Sequence, residues 1–162
     1  GPLDRIFKNA ESNTRRLDEI VWAVNPRNDT LEHFTKYLCK FAQDYLSSAN
    51  VRCRFELPDS LPHGSLSAAQ RYHLLLSAKE AVHNAVRHGH PGTVTLKMDV
   101  SGVYFLVEIR DDGCGCDVAA ASASPRGCGN MRLRMDTIGG SFNIISSAGH
   151  GTTISLRAPF SP

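Results

Sequence analysis

One long helical segment combines an apolar stripe with a polar one, and this combination limits how the chain can fold. Periodicity predicts a helix that begins at Ser65 or Ser67 and runs to Gly89, a residue type expected just past a helix end. Its apolar side chains recur three and four residues apart, at Leu74, Ala78, Ala81, Val82 and Ala85. Such a stripe must be buried against other elements, so the chain needs a folded core around this helix.

The polar stripe of the same helix carries groups of complementary chemistry. Glu80, Asn84 and either Arg87 or His88 stand at i, i+4 and i+7 or i+8, along one neighbouring face. A carboxylate can orient or deprotonate a water, an amide oxygen can bind Mg²⁺, and a cation can hold phosphate oxygens. Ordinary solvated helix faces also carry such triplets, so the stripe alone leaves both interpretations open.

Hydrophobic periodicity and turn residues predict helices and strands along the whole chain. The predicted helices cover residues 4–24, 31–50, 65–89 and 130–138, and the predicted strands cover 51–57, 93–99, 103–110, 141–146 and 152–158. Residues 117–126 lack both periodicity and bulky apolar groups, which predicts a mobile loop. Since paired strands and helices alternate without βαβ spacing, we expect an α+β fold: an antiparallel or mixed sheet covered by helices on one face.

Composition excludes several classes of protein. The 162 residues with 41% hydrophobic content suffice for one domain plus one appended element. The net charge is only +2 and the basic residues are scattered, which argues against a nucleic-acid-binding face. Five cysteines are an odd number and favour a reducing compartment. Because no apolar run approaches about 20 residues, we expect a soluble chain.

Three glycine-containing segments follow the long helix. The first, "RDDGCGCD", comes directly after a strand and places Asp111 ahead of Gly113 and Gly115, where a backbone can approach a ligand closely. A plain β-turn explains this segment equally well.

The other two glycine segments also have a structural alternative. "RGCGNM" puts Gly127, Gly129 and Asn130 at the start of a helix, where free N–H groups favour an anion such as phosphate, although a hinge before a helix cap looks the same. "GHGTTISL" leads into a strand with Thr152 able to form a hydrogen bond, but by itself it is more typical of a structural hairpin turn.

All four segments occur once, in order, in one domain, and together they closely resemble the catalytic ATP-binding domain of sensor histidine kinases. "KEAVHNAVRHG" resembles the asparagine box of that family, which includes gyrase B, Hsp90 and MutL, and "DDGCG", "RGCGNM" and "GHGT" resemble its three glycine boxes. The resemblance spans about residues 30–158 and implies the Bergerat fold, a two-layer sandwich with a mixed, mostly antiparallel sheet. The preceding "LDEIVWAVNPRNDTLEHFTKYL" is similar to the segment before this domain in kinases with large periplasmic sensor modules.

The resemblance implies a division of the chain and a set of partners. Residues 1–28 would hold a tag remnant and the end of a dimerisation helix with its linker, and residues 29–162 the ATP-binding domain. No His-Asp or His-Glu pair occurs, so the phosphoacceptor histidine would lie on a separate domain, and we expect the isolated chain not to autophosphorylate. Expected partners are that domain and a response regulator, with no nucleic acid. We expect a monomeric fragment of a dimeric, membrane-anchored bacterial sensor, in its cytoplasmic portion.

The resemblance also implies roles for the polar stripe. Glu80 would be the catalytic residue and polarise the attacking group or a water, and Asn84 would bind the Mg²⁺ that bridges the ATP phosphates. Arg87 and His88 would neutralise phosphate charge.

The glycine boxes would complete the ATP site. Asp111 would accept a hydrogen bond from the adenine amino group, and Gly113 and Gly115 would let the base approach. Thr152 would contribute to adenine binding from the floor of the pocket. The second box, with Gly127, Gly129 and Asn130, would close over the phosphates, with residues 117–126 as a movable lid.

Some positions depart from the family pattern and keep alternatives open. Pro125 stands where the family commonly has a glycine, Cys128 where it has a leucine, and Cys116 where it has an aromatic or aliphatic residue. These differences could alter closure of the lid and the affinity for ATP. Zinc binding by Cys114, Cys116 and Cys128 lacks an evident fourth ligand. The alternatives to a histidine kinase are an anti-sigma-type serine kinase, which normally lacks the helix at residues 4–24, and a degenerate nucleotide-binding module.

Overall fold

A computed structural model describes residues 1–123 and 128–162, and in them every predicted helix and strand is present. The helices are α1 (Pro2–Val24), α2 (Leu31–Ser48), α3 (Ala68–Asn84), α4 (Val118–Ala123) and α5 (Cys128–Thr137). A short 3-10 turn covers Pro26–Asn28, and a π-helical turn at Ala85–Gly89, called the π turn below, directly continues α3. The strands are β1 (Arg52–Glu56), β2 (Thr93–Ser101), β3 (Tyr104–Asp111), β4 (Ser141–Ser146) and β5 (Thr152–Pro159).

Two local predictions were wrong. The segment predicted as a loop at 117–126 contains the six-residue helix α4, whose small alanine and serine side chains gave no periodic signal. The helix expected to start at Asn130 begins at Cys128. The rest of the expected lid, residues 124–126, lies outside the described part of the chain.

The five strands form one mixed sheet in the order β1-β2-β3-β5-β4. All neighbouring pairs are antiparallel except β1 and β2, which run parallel and are connected through α3. The α+β fold with a mixed, mostly antiparallel sheet is therefore confirmed. The parallel connection is a βαβ unit that we did not expect, because a long turn between Leu57 and Ser67 separates β1 from its crossover helix.

The helices cover one face of the sheet, and the core lies between the two layers. Along β3, Phe105, Val107 and Ile109 are buried while the residues between them are more exposed, the alternation of a half-covered sheet. Phe34 of α2 meets Phe105 edge to face, with ring centroids 5.7 Å apart. Ser67 starts α3 with a reciprocal capping box, which fixes where this central helix begins.

Helix α1 forms the expected N-terminal extension, and its C-terminal end packs on the domain. Ala23 is its one buried residue among those described. Arg71 of α3, only 3% exposed, donates from Nε to the Ala23 carbonyl at 2.8 Å. Trp22 stacks on Tyr37 of α2, with centroids 4.3 Å apart. As predicted, the helix ends before Asn25-Pro26; the functional division of the chain near residue 28 stays a prediction.

Candidate functional site

A cavity of about 360 Å³ opens where the C-terminal end of α3 meets the ends of β3 and β5. Its walls are largely apolar and come from both layers: Ala81, Ala85, Ile109, Ala121, Ile144 and Ile154. Its polar lining is restricted to a few side chains: Asn84, Arg87, His88, Asp111 and Thr152. Apolar walls with a few convergent polar groups are typical of small-molecule sites.

The π turn determines how the polar stripe meets this cavity. Asn84 is the last residue of α3, and the widened turn from Ala85 to Gly89 carries Arg87 and His88 to the cavity wall. Both side chains are exposed, so their charge lies at the rim. The turn ends in left-handed backbone at His90, with φ 47°. π-helical turns inside helices occur frequently at functional sites.

Asp111 supplies a carboxylate at the inner end of the cavity. It is the last residue of β3 and is 8% exposed. Its Oδ1 accepts the backbone N–H of Gly113 at 2.8 Å. Burial raises the pKa of this carboxyl above its ordinary value, although the nearby N–H groups of Gly113 and Thr152 oppose that effect. Because the Gly113 N–H occupies Oδ1, the carboxylate keeps acceptor capacity on its second oxygen for a ligand that donates a hydrogen bond.

Backbone contacts between turns explain the glycines around Asp111. A Cβ at Gly113 would overlap with the carbonyl of Gly89, and a Cβ at Gly115, where φ is 72°, would overlap with the carbonyl of Ser147. Glycine is therefore required here because chain segments touch. Of the two, Gly115 lines the cavity, and access for a base at these glycines stays a prediction.

Hydrogen bonds join the π turn to the first and third glycine segments. The Cys114 N–H donates to the Gly89 carbonyl at 2.9 Å, and the Gly149 N–H donates to the Cys114 carbonyl at 2.7 Å. Ser146 Oγ accepts from the Cys116 N–H at 2.8 Å and lies 2.8 Å from Thr152 Oγ1. Segments far apart in sequence thus form one connected rim around the cavity.

Glu80 lies in a different place from the other candidate residues. It lines a second cleft of about 620 Å³ between α1 and α3, whose walls are mostly charged: Lys8, Glu11, Arg15, Arg16, Glu19, Lys79, Glu80, His83 and Arg134. Asn84, one turn later on the same helix, lines the apolar cavity instead. Residues four apart on a helix point about 40° apart and lie about 6 Å apart along its axis, so their side chains can line neighbouring but different clefts.

The second glycine segment is only partly brought to the cavity. Gly129 and Asn130 lie in the first turn of α5, half-buried and exposed respectively, and neither lines the cavity. Gly127 lies outside the described residues.

Sequence reasoning missed some residues of this site. Cys116 and Cys128, which we considered as departures from the family pattern and as candidate zinc ligands, both line the cavity. Burial raises the pKa of the Cys128 thiol above its ordinary value. No sequence pattern marks either cysteine as a wall residue, because their positions depend on how the loop after β3 packs against α5.

Neither a metal cluster nor a membrane span is found in the described residues. No group of three histidine, cysteine, aspartate or glutamate side chains there is arranged to hold a metal ion. Among the helices at 1–123 and 128–162, none has the length and apolar character needed to cross a membrane.

Known proteins resemble this chain in sequence. The model of the family described as "Histidine kinase-, DNA gyrase B-, and HSP90-like ATPase" matches residues 70–162, more than half of the chain. The sensor protein VraS of Staphylococcus aureus (strain COL) is 36% identical over 87 residues, which are 54% of this chain and 25% of VraS. VraS of Staphylococcus haemolyticus matches with the same identity and coverage. The chain thus spans about a quarter of the length of these curated relatives.

Solved structures share the fold. The histidine kinase domain of the blue-light activated kinase EL346 from Erythrobacter litoralis has a TM-score of 0.69 at 16% identity, covering 90% of this chain and 73% of that one. Histidine kinase AdeS of Acinetobacter baumannii has a TM-score of 0.67 at 13% identity, covering 97% and 81%. ShkA, in a complex with AMPPNP, has a TM-score of 0.64 at 18% identity, covering 81% and 30%. With the family match over residues 70–162, the chain belongs to the histidine kinase-, DNA gyrase B- and HSP90-like ATPases.

Proposed function

We propose that this chain is the ATP-binding catalytic domain of a two-component sensor histidine kinase, transferring the γ-phosphoryl group of ATP to a histidine on a separate dimerisation domain. The observation that carries the proposal is an apolar cavity with a buried carboxylate at its inner end and Asn84, Arg87 and His88 at its rim. Family membership and the similarity to VraS, a sensor protein, support it.

The inner end of the cavity suits adenine. The side chains of Ala81, Ile109 and Ile154 offer apolar surface to a flat base. Asp111 would accept a hydrogen bond from the exocyclic amino group of adenine through its free carboxylate oxygen. Guanine presents a carbonyl oxygen at the equivalent position, which would face the carboxylate without a proton between them, so ATP should bind more tightly than GTP.

The rim suits phosphates and Mg²⁺. Mg²⁺ in phosphotransfer sites is usually held by one or two protein oxygens together with substrate phosphates and waters. The Asn84 side-chain oxygen on the cavity wall is one such ligand, and Arg87 and His88 lie beside it to neutralise phosphate charge. When bound, the ion would neutralise charge on the phosphates. We propose that Gly129 and Asn130, at the start of α5, lie over the phosphates and that α4 (Val118–Ala123) forms part of the lid.

Glu80 would act on the phosphoacceptor side of the reaction. A histidine nitrogen of the separate domain would attack the γ-phosphorus, forming a P–N bond while the bond to the bridging oxygen breaks and ADP leaves. Glu80 would polarise the attacking imidazole from the charged cleft. Catalysis would otherwise rest on positioning and charge neutralisation. The second partner would be a response regulator, and the parent protein a membrane-anchored sensor with this domain in the cytoplasm.

Calorimetric titration tests the nucleotide site. We expect ATP with Mg²⁺ to bind at least about tenfold more tightly than GTP, and ATP without Mg²⁺ to bind more weakly. Asp111→Asn has one acceptor oxygen for two donors, the Gly113 N–H and the adenine amino group. It should therefore weaken ATP binding about 30-fold, since a hydrogen bond to a charged group contributes roughly 2 kcal/mol.

The matched control is Asp99→Asn, in the part of β2 that pairs with Leu106 and away from the cavity, which should bind ATP as the unmodified chain does. Equal affinity for ATP and GTP, or unchanged ATP binding by Asp111→Asn, would contradict the proposed site. Addition of a dimerisation domain with its histidine should then give acid-labile phosphate on that domain. Acid-stable phosphate on a serine would instead indicate a serine kinase.

A further inference from the structure

We propose that Asp112 is a positioning residue. It holds the phosphate side of the nucleotide site at a fixed distance from the adenine side. This inference rests on the proposed function. Asp112 follows the candidate adenine ligand Asp111, is exposed, and is not part of the cavity lining. Its side chain connects the end of β3 to the segment that leaves the π turn.

The Asp112 side chain binds two consecutive backbone groups. Its Oδ1 accepts the N–H of Gly92 at 2.9 Å and the N–H of Thr93 at 2.9 Å. The backbone N–H of Asp112 also donates to the Thr93 carbonyl at 3.3 Å. Side chain and main chain of one residue thus fix the first residues of β2 against the end of β3.

A second attachment lies on the other side of the same connection. The Cys114 N–H donates to the carbonyl of Gly89, the last residue of the π turn. Between the two attachments the chain has little freedom, because His90 is left-handed and Pro91 is buried. The π turn, with Arg87 and His88, is therefore held at a fixed position relative to Asp111 before any ligand binds.

Such a fixed position matters because one ligand would contact both sides. ATP joins its adenine to its phosphates covalently, so it gains full affinity only if both subsites keep the correct separation. Adenosine carries no phosphates and would use the adenine subsite alone. Loss of the attachment should therefore weaken ATP binding more than adenosine binding.

The chemistry of the contact requires an acceptor oxygen and not a charge. An asparagine at 112 keeps a side-chain oxygen for the same two N–H groups. The negative charge of Asp112 in fact contributes to raising the pKa of neighbouring Asp111. Asp112→Asn should thus preserve the attachment, whereas Asp112→Ala removes it and leaves two N–H groups to solvent.

The experiment compares four forms of the whole chain: unmodified, Asp112→Ala, Asp112→Asn and Asp99→Ala. Asp99 is the matched control because its Oδ1 also accepts a backbone N–H, that of Val100 at 2.8 Å, but away from the cavity. Affinities for ATP with Mg²⁺ and for adenosine are measured by calorimetry. Amide hydrogen exchange of Gly92 and Thr93 is measured by NMR without nucleotide.

For Asp112→Ala we expect ATP affinity to fall about tenfold, adenosine affinity to change less than about twofold, and both amides to exchange at least about tenfold faster. Asp112→Asn should match the unmodified chain within about twofold, and Asp99→Ala should change neither affinity. Unprotected Gly92 and Thr93 amides in the unmodified chain would already overturn the inference, which keeps it testable should Asp112→Ala fail to fold.

Three other results would also overturn it: unchanged ATP affinity in Asp112→Ala, an equal loss for ATP and adenosine, or an equal loss in Asp112→Asn and Asp112→Ala. Each would leave ATP binding by the unmodified chain intact. Failure of the unmodified chain to bind ATP would overturn the proposed function itself, so the two failures are distinguishable.

Discussion

The two clefts beside α3 differ in composition although they share a helix. The cavity at its C-terminal end has mostly apolar walls and one deeply buried carboxylate, Asp111. The cleft beside α1 has walls of alternating charge, including the ion pair of Lys79 with Glu19 at 3.0 Å. The first suits a flat uncharged base, and the second suits polar groups and solvent.

One polar stripe of a helix therefore lines two clefts of different chemistry. Asn84 belongs to the apolar cavity and Glu80 to the charged cleft, although only one helical turn separates them. We infer a division of labour in which nucleotide binding depends on the cavity and phosphoryl transfer on both. Three measurements test whether the two clefts have separate roles.

The largest expected effect is on phosphoryl transfer in Glu80→Gln. Loss of the carboxylate should slow transfer to a dimerisation domain supplied in trans by at least about 100-fold, because a positioned acid or base typically contributes that much. ATP affinity, measured by calorimetry, should stay within about twofold. Glu11→Gln, in the same charged cleft, serves as control and should change neither quantity. If Glu80→Gln weakens ATP binding as strongly as Asp111→Asn, the two clefts are not functionally distinct.

Alkylation of Cys116 tests the cavity without any mutation. Because this thiol lines the cavity, ATP at about ten times its Kd should slow the reaction of Cys116 with iodoacetamide about tenfold. Cys114, exposed and outside the cavity lining, is the internal control and should react at nearly the same rate with and without ATP. Peptide mass spectrometry gives both rates in one sample. Equal protection of the two thiols would indicate a general change in the loop instead of occupation of the cavity.

The smallest expected effect is a pH-dependent difference in stability between the unmodified chain and Asp111→Asn. Burial raises the pKa of Asp111 above 3.8, so the folded state binds this proton more tightly than the unfolded state does. The free energy of unfolding therefore falls as the pH rises above 3.8, because the folded chain must then carry a buried negative charge. Asp111→Asn should melt at a higher temperature at pH 7, and this advantage should shrink as the pH is lowered toward 4. An advantage that grows on acidification would show the opposite pKa shift.

Much of the fold was predictable because local patterns agreed with tertiary packing. The apolar stripe of α3, the capping residues Thr30 and Ser67, and the alternation along β3 each specify one element from a few neighbouring residues. Helix α4 and the parallel pairing of β1 with β2 were not predictable in this way. Alanine and serine give no periodic signal, and a parallel pairing depends on contacts far apart in sequence.

The candidate polar side chains of the site and the positions of the turns were predictable from local sequence patterns alone. Asn84, Asp111 and the glycines that allow close backbone approach were recognisable because their chemistry is local. The folded structure was needed to show that Glu80 faces the charged cleft, that Cys116 and Cys128 line the apolar cavity, and that Asp112 connects β3 to β2. The physical reason is that these placements depend on small rotations about α3 and on hydrogen bonds between distant segments, which no local pattern encodes.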